Sequence, residues 1–170
     1  MDAPPVLAVI LAALAAAIDL RSQRIPNFLT FGGAAVALLY FGLTGGLAGL
    51  GQSSGGWITG IALFLPMFLL GGMGAGDVKL LGAIGAWLGP EQTVRCALFS
   101  ILAGGFLGLL VAAQHHYVPE AFQKLGRLLT YWKTAGIHRA PGMTLDDATG
   151  PRLAYGAAVL GGTIAAVLVR

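Results

Sequence analysis

Only seven of the 170 residues are Asp or Glu, and two of them stand at the borders of apolar runs. Asp77 follows the glycines Gly71, Gly72, Gly74 and Gly76 at the mouth of one run, and Asp19 closes another. A carboxylate in hydrocarbon surroundings is costly, so each marks a functional site unless local structure accounts for it. The chemistry open to such a pair is general acid–base work on a water molecule. One carboxylate takes the water's proton while the other, protonated, hydrogen-bonds a substrate carbonyl; two like charges at close range share one proton. Asp77 is expected at a helix N-terminus, where the dipole favours an anion, and Asp19 at a helix C-terminus, where it does not. On this reading Asp77 is the ionised base and Asp19 its protonated partner, although Arg21 and Arg24 could offset the effect at Asp19. The plain alternatives are Asp77 as a helix N-cap and Asp19 as a surface partner of Arg24.

The elements that must position these acids follow from composition. Hydrophobic residues make up 56% of the chain, charged residues 10%, and the mean hydropathy is +0.80. Soluble domains carry about 25% charge, so this surface cannot face water all round. The pattern is that of an all-α, polytopic membrane bundle of about six transmembrane segments. No polar linker divides it, so residues 1–170 read as one integral membrane domain with a loop at about 114–152. No basic face interleaved with aromatics points to nucleic acid. The lone Cys96 lies in an apolar run as a buried free thiol, and no CxxC pair offers a zinc site.

The apolar runs are Pro4–Leu20, Phe28–Leu43 with a possible extension to Leu50, Trp57–Leu70, Val78–Leu88, Thr93–Ala113 and Leu153–Val169. The first lacks the basic flank of a signal peptide and reads as a span. Gly51–Gly56 is expected to be a Gly/Ser-rich loop, and Pro66 to kink the third run. Val78–Leu88 reaches only about 17 Å, short of the roughly 30 Å hydrocarbon core. Val118, Phe122, Leu125, Leu129 and Trp132 form an apolar stripe with Lys124, Arg127 and Lys133 elsewhere on the wheel, the mark of an amphipathic helix on the membrane surface. The stretch beyond it, with Gly136, Pro141, Gly142, Gly150 and Pro151, reads as an irregular loop.

With the N-terminus outside, one face collects Arg21, Arg24, Lys79, Lys124, Arg127, Lys133, Arg139 and Arg152, and the other keeps Arg95 and Arg170. The positive-inside rule makes the first face cytoplasmic. Asp19 and Asp77 both fall on it.

GAGD, Gly74 to Asp77, with the following VKLLGAIG, resembles the GxGD motif of the type IV prepilin peptidases. DLRSQRIPNFLT, Asp19 to Thr30, is similar to their first aspartate motif, and RLAYGAAVLGG, Arg152 to Gly162, to the opening of their last span. The resemblance covers nearly the whole chain in order. It implies an integral membrane aspartic peptidase of the inner membrane whose catalytic residues are Asp19 and Asp77. It marks Gly74, Gly76, Lys79, Arg24, Pro26 and Asn27 as supporting or substrate-binding positions. No cofactor or metal is implied. The expected substrate is a prepilin or pseudopilin, cut at the cytoplasmic face after the glycine that ends its short basic leader; the implied partners are membrane lipids and pilus-assembly machinery. Larger members carry an N-terminal domain with paired CxxC motifs and methylate the new N-terminus. This sequence opens on the first span, so it resembles the short form serving tight-adherence (Flp-type) pili, and methylation is not expected.

Small faces at Gly85/Gly89 and Gly104/Gly108 would suit either a substrate helix or packing between the protein's own helices, the latter being favoured. His115, His116 and His138 fit no tetrahedral metal signature, and Asp146 and Asp147 lie in a polar loop. Rival classes are a non-enzymatic membrane subunit or small ion-coupled transporter, and a preflagellin or presenilin-like GxGD protease. A proton path would need carboxylates at staggered depths linked by polar groups, which the spans scarcely provide.

Overall fold

The computed structural model describes residues 3–114, 118–138, 140 and 154–169. Its helices are α1 (Ala3–Ser22), α2 (Asn27–Leu69), α3 (Ala75–Leu88), α4 (Pro90–Gln114), α5 (Val118–Ala135) and α6 (Tyr155–Leu168). Helices α1, α2 and α4 are long and apolar enough to cross a membrane. Large side chains such as Leu43, Leu47, Leu102 and Phe106 stand exposed on their outer faces, where a bilayer rather than water is the fitting solvent. The fold is the all-α, multi-pass membrane bundle that the composition requires.

One boundary differs from expectation. Gly51–Gly56 is helical, not a loop, because the reversal falls earlier, at Gly46 (φ 58, ψ −145). Phe41 and Gly49 would be about 12 Å apart along a continuous helix, yet a Cβ on Gly49 would strike the Phe41 carbonyl. Residues 27–45 and 47–69 are therefore two antiparallel arms joined at one left-handed glycine. The Gly/Ser stretch packs instead of turning: Ser53 Oγ donates to the Ala86 carbonyl at 2.8 Å, and a Cβ on Gly56 would run into Gly85. Helix α2 runs through Pro66 to Leu69, close to the expected end of the third run.

Helix α3 is the axis of the bundle. Val78 and every residue from Leu80 to Trp87 are buried, as expected of a helix apolar all round. The second arm of α2 lies against it through Gly56 and Gly60, where Cβ atoms would meet the backbone of Gly85, Leu81 and Gly82. Tyr40 and Phe41 of the first arm cap the far end by packing on Trp87. Helices α4 and α6 close the other side through a polar seam. There the buried Cys96 Sγ lies 3.4 Å from Thr163 Oγ1, and Ser100 Oγ donates to the Cys96 carbonyl at 2.7 Å. Of the small faces read from sequence, a Cβ on Gly85 would meet Gly56, on Gly89 Gln52 and on Gly104 the Tyr155 ring, while a Cβ on Gly108 would have no neighbour within 4 Å beyond its own helix backbone among the described residues.

Helix α5 has the expected amphipathic character, with Phe122, Leu125 and Leu129 exposed. It ends at Gly136 (φ 90), whose N–H donates to the Trp132 carbonyl, the left-handed glycine stop of many helices. Most of the expected loop beyond it, with Pro141, Gly142, Gly150 and Pro151, lies outside the described residues, as do His115, His116, Asp146 and Asp147.

Candidate active site

Asp19 sits in the last turns of α1, 7% exposed, and is not the surface partner of Arg24. Among the described residues the one ion pair is Arg95–Glu91. Helix α1 stops just beyond it. Gln23 adopts φ 51 and its N–H donates to the Asp19 carbonyl at 2.8 Å. Ser22 Oγ bonds the carbonyls of Ile18 and Arg24 at 2.9 and 3.0 Å. Pro26, extended at φ −66 and ψ 139, then opens α2 as its N-cap residue. This short turn swings Ile25 across to the glycine motif.

The glycines there have identifiable tasks. Gly71 (φ 79) ends α2 in the left-handed region. A Cβ on Gly76 would lie 3.3 Å from Ile25 Cβ, so this glycine admits the α1–α2 turn. A Cβ on Gly74 would lie 3.1 Å from Asp77 Oδ2. Gly74, not Asp77, is the N-cap of α3, and Asp77 belongs to its first turn, with its N–H on the Gly74 carbonyl at 3.2 Å. The N-cap alternative for Asp77 thus falls away, since the cap residue carries no side chain.

Both carboxylates line one open cavity of about 320 Å³ together with Gln23, Arg24, Ile25, Gly74, Ala75 and Gly76. Several waters fit in such a volume, at about 30 Å³ each. Of the positions marked in the sequence, Asp19, Asp77, Arg24, Gly74 and Gly76 meet here. Pro26, Asn27 and Lys79 stand behind them. Lys79 Nζ donates to Asn27 Oδ1 at 3.0 Å and lies 5.4 Å from the centre of the Phe31 ring, tying the start of α3 to the start of α2. Among the described residues no cluster of three or more His, Cys, Asp or Glu could hold a metal. His138 bonds Tyr131 Oη at 2.7 Å, away from the cavity.

Two neighbours of the acids were not foreseen. Gln23 lines the cavity from its left-handed backbone. The N–H of Gly156, in the first turn of α6, donates to Asp19 Oδ2 at 2.9 Å. Asp19 therefore faces the N-terminal end of a second helix as well as the C-terminal end of its own. That removes the electrostatic reason for making it the protonated partner. Nothing in the local spacing could reveal this, because the contact spans 137 positions.

The family profile described as type IV leader peptidase matches residues 6–109, a stretch that holds Asp19, Gly74, Gly76 and Asp77. The chain belongs to the type IV leader peptidase family. Its similar relatives include three proteins named prepilin leader peptidase/N-methyltransferase. The one from Aeromonas hydrophila is 38% identical over 112 residues, covering 58% of this chain and 37% of that protein. The one from Burkholderia pseudomallei is 36% identical over 105 residues, covering 55% and 32%, and the one from Xanthomonas campestris 34% over 102, covering 54% and 34%. The chain spans about a third of the length of these curated relatives. No solved structure matches it. The leader peptidase match stops within α4, so α6 and its contact with Asp19 lie beyond it.

Proposed function

We propose that this chain is a membrane aspartic endopeptidase that removes the short basic leader of Flp-type prepilins, working at the cytoplasmic face of the inner membrane. One observation carries the reading: the two acids that the leader peptidase match includes line the same cavity, at the same end of the bundle. The relatives' name supports a prepilin as substrate. A prepilin carries a charged leader followed by an apolar helix, so its scissile bond comes to rest at the membrane boundary, level with the cavity.

In the reaction one carboxylate takes a proton from the trapped water, and the resulting hydroxide attacks the carbonyl carbon of the scissile bond. The other carboxyl group gives its proton to the carbonyl oxygen, leaving a neutral gem-diol. Collapse of that intermediate passes the first proton to the leaving nitrogen and returns the second to its donor, so the pair ends as it began. Arg24 is exposed at the rim of the cavity.

Co-expression with a Flp-type prepilin tests the proposal. Wild-type protein should shorten the prepilin, and Asp19→Asn or Asp77→Asn should each abolish shortening while the protein still inserts. Cleavage that survives either substitution refutes the dyad.

A further inference from the structure

Helix α6 begins with an unmet need. Its N-cap is Ala154, which makes no side-chain cap hydrogen bond, so the first amides of the helix want an acceptor. Asp19 supplies it from α1: Oδ2 accepts the Gly156 N–H at 2.9 Å, in a buried setting. The approach needs glycine. A Cβ at position 156 would lie 3.0 Å from Asp19 Oδ2, 3.1 Å from its Cβ and 3.3 Å from the Ala16 Cα. The preceding residue locks the helix end in place: Tyr155 Oη donates to the Ser100 carbonyl at 3.2 Å, and its ring meets Phe64 edge-on.

We propose that the Gly156 amide is a positioning group for the reaction, fixing the Asp19 carboxylate and directing its second oxygen at the water. The proposal rests on the peptidase reading and adds α6 to the catalytic apparatus. A carboxylate held through Oδ2 by an amide keeps Oδ1 for the attacking water, so Asp19 is the member that takes the water's proton and Asp77 the one that serves the carbonyl. This reverses the roles expected from sequence. Tyr155 and Gly156 act through Asp19 and do not touch the substrate.

The test removes the N–H without adding an atom: glycolate replaces Gly156, turning that amide into an ester. The Gly156 N–H belongs to the first turn and has no partner within the helix, so the bond to Asp19 is the one hydrogen bond deleted, while the Tyr155 carbonyl becomes a weaker ester acceptor. An ester at Ala157, whose N–H goes to the Ala154 carbonyl at 3.2 Å, controls for softening of the backbone. Hydrogen bonds to charged groups are strong enough that kcat for leader removal should fall by about ten- to a hundredfold at position 156, with KM within about twofold. The Ala157 ester and Gly161→Ala, whose new Cβ would meet only Ala103 at 3.8 Å, should keep wild-type kcat. A second readout does not need turnover. In glycine-labelled protein the Gly156 amide proton should resonate downfield and move upfield in Asp19→Ala. An unmoved Gly156 resonance, or a Gly156 ester with kcat within twofold of wild type, overturns the proposal. Wild-type protein that cuts no prepilin overturns the peptidase reading and the positioning role with it, while the resonance still reports on the bond itself.

Discussion

Replacing Gly60 with Ala puts a methyl group where the second arm of α2 touches the backbone of α3. The new Cβ would stand 2.7 Å from the Leu81 carbonyl carbon and 2.8 Å from the Gly82 Cα, where ordinary contacts begin at 3.4 Å. Both atoms are backbone, so no rotamer change relieves the clash and α3 must retreat by about 0.7 Å. Overpacking of this kind costs about 1–3 kcal/mol. Leu81 lies one turn from Asp77 on the same helix, so the carboxylate moves with it. A displacement approaching 1 Å at a reacting group can cost about a hundredfold in rate. The prediction is a lower melting temperature in detergent together with a kcat for leader removal reduced by about ten- to a hundredfold. Gly51→Ala, on the same arm with nothing within 4 Å, should change neither. Thermal unfolding and a timed cleavage assay on both variants decide the matter. A Gly60→Ala protein with wild-type melting and wild-type kcat would show that α2 and α3 do not approach this closely, and the placement of Asp77 would have to be redrawn.

Three further outcomes follow from the same geometry. Asp19→Asn keeps a side-chain oxygen for the Gly156 N–H and should unfold near the wild-type temperature without activity; Asp19→Ala also loses the cap of α6 and should be less stable by about 1 kcal/mol in thermal unfolding. Lys79→Met removes the bond to Asn27 and the contact with Phe31, and should destabilise the protein by about 1 kcal/mol while lowering kcat; unchanged kcat would remove Lys79 from the support of the site. Gln23→Gly relieves a left-handed backbone at the end of α1 and should stabilise the fold by about 1 kcal/mol. If its KM rises despite the gain in stability, the Gln23 side chain takes part in substrate binding; unchanged KM and kcat confine the residue to the turn.

Much of the site was legible because its chemistry is scarce. In a chain with so few acids, Asp19 and Asp77 stand out by type alone, and the helical segments on which they lie follow from apolar run length. The glycine motif was equally plain, but what Gly76 admits, the side chain of Ile25, depends on a turn six residues beyond Asp19. The reversal at Gly46 was missed because Gly51–Gly56 is richer in turn-forming residues; in a membrane bundle those same residues are wanted for close helix packing. Position relative to a neighbour, not composition, decided which use prevailed. Gly156 illustrates the remaining limit. A glycine one step inside a helix carries no local mark of the carboxylate waiting across the bundle.

Helix α3 spans about 21 Å, yet protein encloses it nearly all round. Lipids therefore meet its neighbours rather than α3 itself, and no thinning of the bilayer is needed to match it. Its shortness is absorbed internally, where the end of α1 and the glycine run wall a cavity at its N-terminal end. On the proposed function, solvent reaches a peptide bond there while the apolar segment of a prepilin stays at its ordinary depth.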